Sequence, residues 1–162
     1  MKETLLKLKA CDEAVEWAGD KTAEEIIDTC YRGDWLLWLA YKLKVDDRPF
    51  TLAKGHCANT VRHLMKDDRS INAVDAAIAY GNGDISKKEL KDASDAAYDA
   101  YAASAYASAA SAYASDADYA IAAASSASGA YAYAAYASAK SNQLETADIC
   151  RKYLGHLILE LC

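Results

Sequence analysis

Histidine and cysteine have the widest chemical reach of the residues in this chain, and their spacing argues against their usual uses. His56, Cys57 and His63 lie close in sequence. On a helix His56 and His63 sit two turns apart, about 10 Å. That is too far for one zinc without ligands between, and the compact spacings of zinc sites are missing. Five cysteines, Cys11, Cys30, Cys57, Cys150 and Cys162, are widely spaced with no CxxC. They read as reduced, mostly buried thiols. Serine is plentiful, yet no Gly-x-Ser-x-Gly elbow presents one as a nucleophile. No Gly-rich phosphate loop occurs. The expectation is therefore no catalytic set, no metal and no cofactor.

An acidic and aromatic pattern has more to offer. Asp92, Asp95, Asp99, Tyr106, Tyr113 and Asp116 recur at intervals of three, four or seven. A continuous helix lines them along one side. Asp95 and Asp99 repel each other on an isolated helix. One reading is a solvated face that keeps an Ala-rich protein soluble. The other is a binding face for a basic partner, to which tyrosine suits because it is large, stiff and amphipathic. A nucleotide stacked on Tyr and Ser is a third use. It lacks cations for its phosphates, since the tract holds no Arg and only Lys140 at its end.

The element that must carry this pattern is the run from Ala93 to Ala139, built almost wholly from Ala, Ser and Tyr. Ala is the best helix former and no Pro interrupts it. Helix from Ser86 to the C-terminal end would be roughly 110 Å long at about 1.5 Å per residue. A compact chain of this length is only about 40 Å across. The run must fold back, and the weak places are 115–118 and, by preference, 125–129, where Ser, Asp and Gly favour caps and stops.

The rest of the chain reads as shorter helices. Met1–Lys9 is a lead-in, and Ala10–Ala18 ends at Gly19. Thr22 and Glu25 form a capping box, and Gly33 stops that helix while Asp34 caps the next. The segment Trp35–Lys44 is apolar nearly all round, so it belongs at the centre of the core. Asp46 and Pro49 start a helix that runs to about Met65. Ser70–Tyr80 is another, ended by the Gly81–Asp84 turn. Ser86 and Glu89 make a second capping box. The last helix, Lys140–Leu161, puts Leu144, Ala147, Cys150, Leu154, Leu157 and Leu161 on one stripe. No strand pattern appears, and the fold class is all-α, one domain over 1–162, with a short-helix half (1–85) and a long-helix half (86–162).

Bulk composition narrows the function. At 162 residues the chain is one domain in size. Its net charge of −6 argues against direct nucleic-acid binding, which needs a basic face to release counterions. No signal-peptide pattern and no membrane-spanning run occur, so the expected setting is cytoplasmic, with no membrane partner.

Three stretches carry a family resemblance: Ala10-Cys11-Asp12-Glu13-Ala14 with Trp17, Cys30 to Leu39 with its Arg-Gly-Asp-Trp, and Ala147-Asp148-Ile149-Cys150-Arg151. In these the chain resembles an all-helical family of proposed bacterial immunity proteins, associated with polymorphic toxin systems and with relatives in phage genomes. Cys150 stands where that family has Val. The resemblance implies a non-enzymatic inhibitor that binds and neutralises another protein, a toxin or defence effector. It singles out Asp12, Arg32, Asp34, Trp35, Asp148 and Arg151. These either pin the N-terminal helices to the last helix through Asp–Arg pairs or line a pocket, and the structural use is the expectation. The Asp/Tyr stripe is then the target face. A phage-encoded anti-defence protein, a nucleotide-sequestering protein and a self-associating helical protein are the alternatives.

Overall fold

The computed structural model describes residues 1–65, 67–108 and 140–162. These form α1 (Lys2–Lys7), α2 (Asp12–Ala18), α3 (Ala23–Thr29), α4 (Gly33–Lys42), α5 (Asp47–Asn59), α6 (Asp68–Asn82), α7 (Lys87–Ser108) and α8 (Lys140–Leu161). One 3-10 turn, Arg62–Leu64, follows α5. No strand occurs among the described residues. The fold is all-α, with short N-terminal helices packed on longer ones. The suggested bends at 115–118 and 125–129, together with Tyr113 and Asp116, lie outside the described residues.

Core formation follows the apolar positions. The main core gathers Leu36, Leu37, Leu39 and Ala40 of α4, Phe50, Ala53 and Cys57 of α5, and Ala147, Cys150, Leu154 and Ile158 of α8. Helix α8 therefore lies against α4 and α5 and touches α3. A smaller core joins Val61, Met65, Ala73 and Val74 to Ala97 of α7. Helix α6 packs on α5 on one side and α7 on the other, which leaves α7 outermost among the described helices.

Local signals set many of the boundaries. Thr22 and Glu25 bond reciprocally, N–H to Oε2 at 2.8 Å and N–H to Oγ1 at 3.2 Å. Gly83, at φ 92°, ends α6 in the left-handed region that glycine favours. The last helix has the expected bounds. Its buried stripe differs: Leu144 and Leu161 are exposed, and Ile158 is buried instead.

Several boundaries depart from expectation; α6 runs two residues beyond Ser70–Tyr80 at each end, and three others have a visible cause. Gly33 does not stop α3, which ends at Thr29; it is the first residue of α4, and Arg32 rather than Asp34 takes the cap position. Glycine is needed there for closeness, because a Cβ would lie 2.5 Å from Thr146 Oγ1. Helix α4 stops at Lys42, not Lys44, because Lys44 turns to φ 60° and the Val45 N–H bonds the Ala40 carbonyl. Helix α5 stops at Asn59, short of Met65. Its end tightens as the Thr60 and Val61 N–H groups bond three residues back, to Cys57 and Ala58, a 3-10 pattern.

Candidate functional site

Helix α7 is held at its start by a polar knot. The Ser86 N–H donates to Glu89 Oε2 at 2.8 Å, and the Glu89 N–H donates to Ser86 Oγ at 3.3 Å. This is a capping box, as the sequence suggests. Asp47 at the start of α5 accepts from Lys87 Nζ at 2.8 Å and from the Tyr80 hydroxyl at 2.9 Å. Arg48 Nη1 donates to the Tyr80 carbonyl at 2.6 Å. Three helix ends thus meet at one carboxylate. The Lys87 ammonium, with the Tyr80 hydroxyl, holds the Asp47 carboxyl below the usual carboxylate range.

Beyond the knot, α7 turns Ala97 inward and Asp92 and Asp95 outward. Asp92 and Asp95 are more than half exposed, at 58% and 59% of their side chains. Lys88 Nζ lies 2.6 Å from Asp92, and Lys91 pairs with Asp95, each one turn earlier. The start of the acidic stripe is therefore locally neutralised. From Lys91 to Lys140 the sequence has no further cation, so net negative charge begins at Asp99. Asp99 and Tyr106 are on α7; their side chains are not among those described. Tyr98, which the stripe omits, is 60% exposed, the most exposed large hydrophobic side chain among the described residues. It lies three positions after Asp95, on a neighbouring part of the helix surface.

The six residues singled out by the resemblance fall into two clusters and one outlier. Arg32 grips Asp34 through Nε at 2.9 Å and Nη2 at 2.6 Å, and reaches Glu13 of α2 at 3.5 Å. Its guanidinium lies 4.7 Å from the centre of the Trp35 ring. Arg151 pairs with Asp148 at 2.5 Å and donates from Nη1 to the carbonyls of Ile27 and Cys30. Cys30 stands between the clusters, its thiol donating to the Arg32 carbonyl at 3.4 Å. Asp12 is exposed at the first position of α2 and belongs to neither.

Two of the buried thiols, those of Cys30 and Cys150, are kept from ionising. Burial pushes Cys30 up to about 11. Cys57 and Cys150 lie 3.8 Å apart between α5 and α8, and the Cys57 thiol, with burial, pushes Cys150 well up. Such thiols are poor nucleophiles at neutral pH. His56 stacks on Tyr153 of α8 with ring centres 4.8 Å apart, and Tyr153 Oη lies 3.1 Å from His56 Nε2. His63 is exposed. Among the described residues no three His, Cys, Asp or Glu side chains come together as a metal site.

Two features escaped the sequence. Lys54 is buried in the apolar middle of α5, its ammonium 4.9 Å from the centre of the Phe50 ring. Burial pushes it down to about 8. The Asp47 knot joins residues more than thirty positions apart, which no short-range pattern marks.

These elements define an all-α protein in which α7, outermost among the described helices, bears exposed Asp92, Asp95 and Tyr98. Among the described residues no helix is long and apolar enough to cross a membrane. Compared with family models, curated proteins and solved structures, the chain matches none.

Proposed function

We propose that this protein is a non-enzymatic inhibitor that binds and neutralises a toxin or effector protein, with the outer side of α7 as its contact face. The observation that carries the reading is Tyr98, 60% exposed near Asp95 on the outermost of the described helices. Aromatic side chains that lie in water in the free chain are the usual anchors of protein interfaces. The resemblance to immunity proteins points the same way, and so does the net charge of −6. An acidic face steers a basic partner and sets partner choice, while a few tyrosines supply most of the affinity. The target is accordingly a protein with a basic surface, such as a nuclease whose cleft binds phosphates.

The test is affinity capture from lysate of the native host and from cells expressing the neighbouring genes. The reading expects one basic protein, recovered in equal molar amount, whose activity falls on binding. Recovery of no protein, with a small molecule released on heating, overturns it.

A further inference from the structure

A cavity of about 130 Å³ opens among α1, α2, α3 and α4, with Trp17, Trp35 and Trp38 as walls and Ala14, Ala18 and Leu36 among its other linings. We infer that this cavity is a binding site for a small uncharged aromatic molecule of one or two fused rings. None of its lining belongs to α6 or α7, so the site is separate from the proposed contact face.

The size fits such a ligand. An enclosed apolar cavity of about 150 Å³ takes up benzene, and this one, partly open to solvent, offers a space of similar size. The lining chemistry sets the class. No charged, amide or hydroxyl side chain lines the space; besides hydrocarbon it holds only the three indoles and the thiols of Cys11 and Cys30. The lining side chains offer a water molecule few polar partners, and none of them is charged to meet an ionic ligand directly. A nucleotide is excluded on the same ground.

The walls are stiffened from outside the cavity lining. Lys21 lies 4.6 Å from the Trp17 ring centre, Arg32 4.7 Å from Trp35 and Lys42 5.8 Å from Trp38. Each contact favours one placement of its ring. Trp17 and Trp35 stand 5.7 Å apart at 55°, and both also meet Tyr31. A flat guest meets ring faces and edges in the tilted arrangements that aromatic groups prefer. The most exposed lining residue is at the start of α2, while Trp35 and Trp38 of α4 are half-buried. That residue is Cys11, and Ala10, Ala14 and Trp17 are half-buried. Helices α1 and α2 are short, at 6 and 7 residues, so their displacement opens the site at low cost.

Indole is the probe. Calorimetric titration of the full chain is expected to show saturable one-to-one binding at sub-millimolar indole. Ala14→Leu, which fills part of the cavity, is expected to weaken it by about tenfold or more, as the loss of apolar contact worth about two methylenes would. The charged analogue indole-3-acetate is expected to bind at least about tenfold more weakly, because its carboxylate has no partner in the lining. A readout without substitution uses the two exposed thiols. Bound indole slows alkylation of Cys11 by iodoacetamide and leaves Cys162 at its own rate, both followed by peptide mass. No saturation up to the solubility of indole, equal affinity for the charged analogue, or equal protection of Cys11 and Cys162 overturns the inference.

Discussion

Arg151 of α8 donates from Nη1 to the carbonyl oxygen of Cys30, 2.7 Å away at the C-terminal end of α3. The same nitrogen lies 3.1 Å from the Ile27 carbonyl. The last carbonyls of a helix lack intrahelical partners and carry the negative end of its dipole. One guanidinium therefore caps a helix to which it does not belong, and ties α3 to α8. Replacing Arg151 by Ala is expected to lower stability by about 1.5–3 kcal/mol, the range for hydrogen bonds to a charged group. Arg151→Lys recovers only part, since an ammonium lacks the planar fork. Thermal unfolding followed by circular dichroism measures both, and an Ala variant that melts with the natural chain contradicts the capping role.

Gly33 marks the closest approach of α4 to α8. A Cβ there would meet Thr146 Oγ1 at 2.5 Å and its carbonyl carbon at 2.7 Å. The carbonyl carbon is backbone and cannot turn aside. Gly33→Ala is expected to force the helices apart and destabilise by about 2–3 kcal/mol, the upper range for overpacking. Denaturant unfolding gives the value. A change below about 0.5 kcal/mol, typical of neutral surface substitutions, would place the helices further apart than described.

Lys9 and Lys44 hold left-handed backbone at φ 62° and 60°. After each, an N–H reaches five residues back, from Ala10 to Leu5 and from Val45 to Ala40. Gly83 does the same for α6 without strain, with the Asp84 N–H bonding Ala79. A side chain in this region is disfavoured relative to glycine. Lys44→Gly is therefore expected to stabilise by about 0.5–1 kcal/mol, against the ordinary effect of glycine. The melting midpoint decides: a rise supports the geometry and a fall contradicts it.

Lys54 gives stability a pH dependence. Its ammonium titrates at about 8 in the folded chain, against an ordinary value of 10.5. Between those values the unfolded chain holds the proton and the folded chain does not. Folding is therefore penalised below pH about 8, and the penalty disappears as pH rises to about 10.5. At neutral pH it amounts to as much as about 3 kcal/mol at 1.36 kcal/mol per unit. Cys30 acts oppositely: raised to about 11, it loses stability from its ordinary thiol range upward. The contrast between the natural chain and Lys54→Met isolates the lysine. The variant is expected to be more stable at pH 7, with the gain shrinking toward pH 10. A gain independent of pH contradicts the assignment.

Legibility in the sequence followed the range of the interaction. The capping boxes at Thr22 and Ser86, the stop at Gly83 and the bounds of α8 rest on residues within a turn or two of each other, and all were readable. The end expected at Lys44 fell within two residues of the observed one, but the left-handed turn at Lys44 was not readable, because a lysine in that backbone carries no compositional mark. Gly33 looked like a stop because glycine serves both turns and close approaches, and only the partner helix distinguishes them. In α7 the stripe counted acids and tyrosines but not cations, although Lys88 and Lys91 stand four positions before Asp92 and Asp95. Tyr98 was passed over because it falls between the template positions.

The most direct test of the inhibitor reading is the affinity of the captured partner for the natural chain and for the variant Asp95→Lys, Asp99→Lys, measured by calorimetry at low and at physiological salt. Retained helicity and melting midpoint establish that the variant folds. The expected result is an affinity at least about tenfold weaker, with the difference narrowing as salt rises. Undiminished affinity in the folded variant would remove the acidic face of α7 from the account.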